Sequence, residues 1–192
     1  LSPSFSLSYR PFSSEQFYVR TSYKNIFRAP TFNENYFFHF GSPRLKPETT
    51  DQLNLGVTWQ KQFSNRFNLE ITADGYLNHI KDKIVAIPYN MFIWTNVNIG
   101  RVQSKGVEVS LRGDYRLAEK HNLLFFGGYS YQNVTDREDK SLPDYGKQIA
   151  YIPLHSVSGS VKWGNPWVDV VVHGAGYGSR WASNSHYDGT LL

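Results

Sequence analysis

Residues 27–48 read FRAPTFNENYFFHFGSPRLKPE, and the rest of the chain is best read outward from them. Pro30, Pro43 and Pro47 each remove a backbone donor and push the preceding residue toward extended geometry, which a paired central strand does not tolerate in such a row. The stretch is therefore a long excursion between two strands. Clean alternation flanks it on both sides. Before it, Phe17, Val19, Thr21 and Tyr23 oppose Tyr18, Arg20, Ser22 and Lys24; after it, Leu53, Leu55, Val57 and Trp59 oppose Asn54, Gly56, Thr58 and Gln60. A period of two marks strands.

The same period recurs outward in both directions. Phe5, Leu7 and Tyr9 alternate with serines, and only residues 11–15 separate them from the next strand. Beyond a short turn at 64–66, Phe67, Leu69, Ile71 and Ala73 alternate with Asn68, Glu70, Thr72 and Asp74, continuing to about residue 80. Residues 81–104 are expected to be long and irregular, holding Pro88 and the aromatics Tyr89, Phe92 and Trp94. Val107, Val109, Leu111 and Gly113 then oppose Glu108, Ser110, Arg112 and Asp114, and Leu123 to Gln132 follow after a connection at 118–121. A second long polar stretch covers 133–153. Two last strands, 155–163 and 167–177, are joined by Gly164-Asn165-Pro166.

The count is about eight strands, with short and long connections in strict alternation and about ten residues per strand, the length a tilted strand needs to cross a bilayer. One face of these strands carries Arg20, Lys24, Glu70, Asp74, Glu108, Arg112 and Asp114, which no dry core would accept. Aromatics gather near strand ends at Tyr9, Trp59, Phe63, Tyr115, Trp163, Trp167 and Trp181, as girdle residues at a lipid interface do. The pattern fits an all-β, antiparallel transmembrane barrel. A soluble carbohydrate-binding β-sandwich shares the alternation but not the charged second face or the loop asymmetry.

Composition agrees and excludes several classes. Of 192 residues 16% are aromatic, Met occurs once and Cys not at all, so thiolate metal sites, disulfides and Cys nucleophiles are excluded. The net charge of +4 is spread along the chain without the basic cluster that nucleic acid requires. No apolar run approaches the roughly 18 residues of a membrane helix. No nucleophile elbow or HExxH spacing points to an enzyme. The first residues carry no signal peptide and the last no terminal strand, which suggests a piece of a longer protein.

Arg28-Ala29-Pro30-Thr31-Phe32-Asn33-Glu34 and Leu45-Lys46-Pro47-Glu48, at this separation and followed by an alternating strand, resemble the FRAPTFxE … LKPE pair of TonB-dependent outer-membrane receptors. Asn98-Ile99-Gly100 with Gly106-Val107-Glu108 is similar to the entry into a later barrel strand of that family. There Gly100 and Gly106 would permit bends or close approach, and Glu108 would begin a lumen-facing row. The resemblance implies that residues 1–192 form a partial barrel domain, about eight of roughly 22 strands, with the plug and the final strands outside this sequence. It implies a cell outer membrane of a Gram-negative bacterium and contact with outer-membrane lipid. The TonB complex would act through the plug region. The small-molecule substrate would be an iron-siderophore, cobalamin, haem or a sugar. A non-transporting barrel, porin or adhesion module, would share the strands but lack a plug.

Two aromatic groups, Tyr36-Phe37-Phe38-His39-Phe40 and Tyr89, Phe92, Trp94, are candidates for a ligand-stacking surface, or for packing of the two loops on each other. His39 lies where haem receptors of this family carry an axial histidine, although Ser42-Pro43-Arg44-Leu45 departs from their Asn-Pro-x-Leu pattern. Asp136, Glu138, Asp139 and Asp144 are either solvated loop charge or a calcium site. Arg28 and Glu34 are expected to pair and pin the base of their loop.

Overall fold

The computed structural model describes residues 2–13, 16–38, 40–88, 93–143 and 145–181. Its strands are β1 (Ser4–Tyr9), β2 (Gln16–Arg28), β3 (Glu48–Ser64), β4 (Phe67–Pro88), β5 (Trp94–Ala118), β6 (His121–Asp136), β7 (His155–Gly164) and β8 (Asp169–Tyr177), with a short helix, α1 (Phe32–Tyr36), between β2 and β3. They form one 8-stranded sheet in which each strand pairs antiparallel with its neighbour in the chain. Tight turns enforce that order between β1 and β2, β3 and β4, β5 and β6, and β7 and β8, because a short connection can only lay the returning chain beside the strand it left. Among the described residues β8 does not pair with β1, so the sheet is an open arc.

Register sorts the side chains into two faces. The row Val19, Val57, Ala73, Val109, Tyr129 and Val157 lies on one. The row Arg20, Gly56, Asp74, Glu108, Ser130 and Ser156 lies on the other. The polar face is the concave one: Arg20, Lys24, Asn54, Asp74, Tyr76 and Glu108 line a common hollow of about 760 Å³. Arg20 reaches across Gly56 to Asp74 at 3.0 Å. Among the described residues the apolar face has no protein partner, and Leu55 on it is 60% exposed. At the short-turn end the outward aromatics form a chain of rings: Trp59 to Phe63 at 6.1 Å, Phe63 to Phe67 at 5.4 Å and Phe67 to Tyr115 at 6.0 Å.

Above that girdle the faces exchange polarity. Counted from Phe67 on β4 and Tyr115 on β5, about ten residues at ~3.3 Å each, tilted by ~45°, rise about 23 Å, close to the height of a barrel's apolar band. Beyond that height His79, Lys81 and Lys83 of β4 and Arg101, Gln103 and Lys105 of β5 take the outer face. The apolar residues move inside, where Ile80, Val102 and Val134 are buried and Ile149 and Ile152 pack on them from the β6–β7 connection. This exchange corrects the expectation of an irregular 81–104. β4 continues to Pro88 and β5 starts at Trp94, in unbroken register from Lys83↔Ile99 to Pro88↔Trp94. The strand persists although the alternation that marks it lower down has reversed, and Pro88 is tolerated because it stands at the strand end.

Three smaller differences have local causes. β3 begins at Glu48, so the last residue of the excursion already belongs to the ladder. β6 extends to Asp136, and the following connection returns to it through Ile149 N–H donating to the Val134 carbonyl at 2.8 Å. Trp167 and Val168 sit in the turn before β8, their N–H groups capped by Asn165 Oδ1 at 3.0 and 3.2 Å.

Candidate functional site

The two ends of residues 27–48 meet. Thr31 caps α1: its Oγ1 accepts the Glu34 N–H at 3.2 Å, and Glu34 Oε2 accepts the Thr31 N–H at 2.7 Å. This reciprocal pair satisfies two end donors and is the reason a helix of only five residues forms here. Pro30, just before the cap, fixes the chain extended into it. Arg28, the last residue of β2, then joins both halves of the excursion. Its Nη1 donates to Glu34 Oε1 at 3.0 Å and its Nη2 to Glu48 Oε2 at 2.9 Å. The expected Arg28–Glu34 pair is thus present, and Glu48 is added to it. The planar guanidinium suits this double duty.

A second clamp holds the loop against the inner side of the β4–β5 hairpin. Asn98 Oδ1 accepts the Lys46 N–H at 2.8 Å, and Asn98 Nδ2 donates to the Lys46 carbonyl at 3.0 Å and to the Asp82 carbonyl at 2.7 Å. Asp82 adopts φ 53°, a left-handed conformation that Asp tolerates better than most residues. Asn96 takes the other end of the loop, its N–H reaching the Phe40 carbonyl and its Nδ2 the Glu34 carbonyl, both at 3.2 Å. Glu48 Oε2 also accepts the Ile84 N–H at 3.2 Å. Of the remaining motif residues, Leu45 is half-buried, and Ala29, Lys46 and Pro47 are exposed.

The third motif group is explained by close approach. At Gly106 a Cβ would meet the Tyr131 carbonyl and stand 2.6 Å from the Tyr76 hydroxyl, so the Tyr76 ring closes over a position that only glycine fits. At Gly100 a Cβ would lie 2.5 Å from Glu138 Oε1, and the Gly100 N–H donates to Glu138 Oε2 at 3.3 Å. Glu108 lines the polar hollow, as the resemblance implied.

The aromatic candidates divide. Tyr36, Phe37 and Phe38 are exposed, Phe38 at 78%, and the Phe32 and Tyr36 rings pack 5.3 Å apart. Trp94 is exposed at the start of β5, two positions from Asn96. The first of the two loops is held against β5 through Asn96, which reaches the Glu34 and Phe40 carbonyls. His39, Tyr89 and Phe92 lie outside the described residues, as does Asp144. The other acids of the β6–β7 connection are engaged locally: Asp136 Oδ1 accepts the Glu138 N–H at 2.7 Å and Asp139 Oδ1 the Ser141 N–H at 2.9 Å. Among the described residues no group of three or more His, Asp or Glu side chains could hold a metal.

Asn96 and Gln148 were not legible as site residues. Gln148 Oε1 accepts the Val134 N–H at 2.8 Å and the Asn133 Nδ2 at 2.9 Å, tying the connection to β6. Gln148 lies in a connection that carries no period, and the Asn96 hydrogen bond over 62 residues leaves no local mark. The helix did leave one, since Thr31-Phe32-Asn33-Glu34 is a capping-box sequence.

The Thr31 N–H, followed by the Arg28 guanidinium, holds the Glu34 carboxyl below its ordinary value. A lowered folded-state pKa means the contribution is complete above the unfolded value of about 4.3 and is lost as pH falls through the folded one. Amide protection over residues 29–47, after correction for the intrinsic exchange rate at each pH, is therefore expected to fall on acidification below about pH 4. In Glu34→Gln the protection should be low already at neutral pH and flat across that window.

The comparisons agree with this geometry. The family model described as "TonB dependent receptor-like, beta-barrel" matches residues 1–191. The vitamin B12 transporter BtuB of Vibrio vulnificus (strain YJ016) is 34% identical over 84 residues, 43% of this chain and 13% of the relative. In solved structures, the copper transporter OprC superposes with TM-score 0.67 at 15% identity, over 94% of this chain and 26% of that one. The FrpB iron transporter from Neisseria meningitidis (F3-3 variant) gives 0.54 at 16%, over 93% and 27%. The siderophore receptor PirA from Pseudomonas aeruginosa gives 0.51 at 20%, over 91% and 32%. The chain therefore spans no more than about a third of each of these proteins. An open antiparallel arc with one apolar and one charged face, a double-clamped excursion at its long-loop end and a family model matched almost end to end place this chain in the TonB-dependent receptor family, within its β-barrel.

Proposed function

We propose that this chain supplies wall and outer rim to a TonB-dependent transporter that takes a scarce metal complex across the outer membrane of a Gram-negative bacterium. The observation that carries the reading is the clamped excursion: Arg28, Asn96 and Asn98 hold residues 29–47 at the inner side of the rim, with Tyr36, Phe37 and Phe38 left open to solvent. Exposed rings on a fixed backbone offer large contact area at low entropy cost. Cobalamin, copper and iron, the cargoes in the relatives' names, all bring a metal, and cobalamin is the first to test because a vitamin B12 transporter is among the relatives in sequence. Energy would come from the TonB complex through a plug filling the polar hollow.

The test is uptake by the full-length receptor in a strain lacking its own copy, with labelled cobalamin, a ferric siderophore, haem and copper supplied separately. Accumulation of one of them that disappears when TonB is deleted is the expected result. Phe37→Ala with Phe38→Ala should weaken binding of that cargo about tenfold while leaving the barrel inserted. Uptake unaffected by loss of TonB would overturn the proposal.

A further inference from the structure

The overhang of β4 and β5 bears a feature that neither uptake nor loop clamping uses. On its outer face Lys81 and Arg101 stand directly opposite each other in the ladder, with Lys83 two positions above Lys81 and Lys105 four below Arg101. Lys81, Arg101 and Lys105 are exposed, and His79 beside them is exposed too. Two like charges at a direct cross-strand position repel each other and destabilise the pair. Nearby acids relieve this only in part. Asp51, opposite His79 in the ladder, attracts Lys81 and His79, while its Oδ1 also accepts from Asn25 Nδ2 at 2.7 Å and the Tyr23 hydroxyl at 2.8 Å. Asp136 and Glu138 are turned to the Glu138 and Gly100 N–H groups.

Height identifies what does relieve it. Lys105 sits about ten residues above the Tyr115 girdle, at the upper edge of the apolar band, and Lys81 with Arg101 stands about 10 Å higher on the same tilt. That is the level of lipid headgroups, on the face that looks away from the lumen. We propose that this patch is a docking surface for the phosphate groups of an anionic lipid in the outer leaflet, with Lys81 and Arg101 gripping one phosphate between them and Lys105 beneath. Cationic side chains flanking a bilayer attract such headgroups, and Arg offers a phosphate two parallel donors. The inference rests on the membrane orientation adopted under Proposed function.

The experiment uses the full-length receptor in nanodiscs of phosphatidylcholine, alone or with a tenth of diphosphorylated lipid A, and reads the thermal midpoint. The phosphorylated lipid should raise the midpoint by a few degrees, and enzymatically dephosphorylated lipid A should not. The rise should vanish in Lys81→Gln/Arg101→Gln and persist in Lys61→Gln, whose ammonium lies near the girdle rings at the opposite interface. Equal shifts from both forms of lipid A, from inorganic phosphate alone, or in the double variant would overturn the proposal. The comparison of the two lipids on the wild-type receptor decides the matter even if the double variant fails to fold. Heat-modifiable mobility of the inserted receptor separates this outcome from a failure of the barrel reading itself, which would leave no inserted protein to measure.

Discussion

Val109→Arg should be the most damaging single substitution in the wall. Val109 lies about midway between the Tyr115 girdle and the upper edge of the apolar band, in the outward row with Val57, Ala73 and Tyr129. An arginine at the bilayer midplane of a barrel costs about 2–4 kcal/mol, against ~0–1 near an interface. The matching change one position away, Glu108→Gln, removes a charge from the polar hollow and should cost less than about 1 kcal/mol. Equilibrium unfolding of the full-length receptor in lipid vesicles would measure both. A soluble sandwich would not produce this ordering from depth in lipid, and equal penalties for Val109→Arg at midplane and Tyr115→Arg at the girdle would contradict the orientation.

Arg28→Ala is expected to free the excursion while sparing the wall. It leaves Glu34 and Glu48 facing each other without their shared cation, and the Glu48 side chain is only 14% exposed. Charge-assisted hydrogen bonds contribute ~1.5–3 kcal/mol each, but Arg28 is 40% exposed, so the pair is discounted to about 2 kcal/mol together. The opening equilibrium of residues 29–47 should then rise roughly thirtyfold, visible as faster amide exchange there and unchanged exchange in the lower halves of β3 and β4. Arg28→Lys should fall between, because a single ammonium cannot serve two carboxylates in the fixed geometry of a guanidinium. If exchange in the loop is unaltered in Arg28→Ala, the clamp lies elsewhere, with Asn98 as the next place to look.

What the amino-acid order disclosed follows from where its periods run. Rows such as Leu53, Leu55 and Val57 were readable because one face of a membrane strand meets a single solvent for its whole depth, so alternation persists and even the turn positions follow from it. The overhang was unreadable for the same reason inverted. At His79, Ile80 and Lys81 the polar surroundings are outside and the dry contacts are inside, so a rule tuned to the band sees only noise. The role of Arg28 was visible in part, since Glu34 follows it by only six residues. Its partnership with Glu48, and the grip of Asn98 on Lys46, depend on folding the excursion back over the hairpin, which no local pattern encodes. Exposure of Phe37 and Phe38 likewise became known only once Asn96 was seen to fix the backbone beside them.

The exchange of polarity along β4 has a consequence for how such walls change length. Between Leu77 and Ile80 the strand passes from one solvent to another without losing its phase: odd positions stay outward throughout, and only the chemistry required of them alters. A single inserted residue in that interval would rotate everything above it by half a period, sending Lys81 and Lys83 into the small dry cluster and Ile80 and Ile84 into water. Two inserted residues would merely lift the rim by a pleat. Growth of the hairpin is thus quantised in pairs.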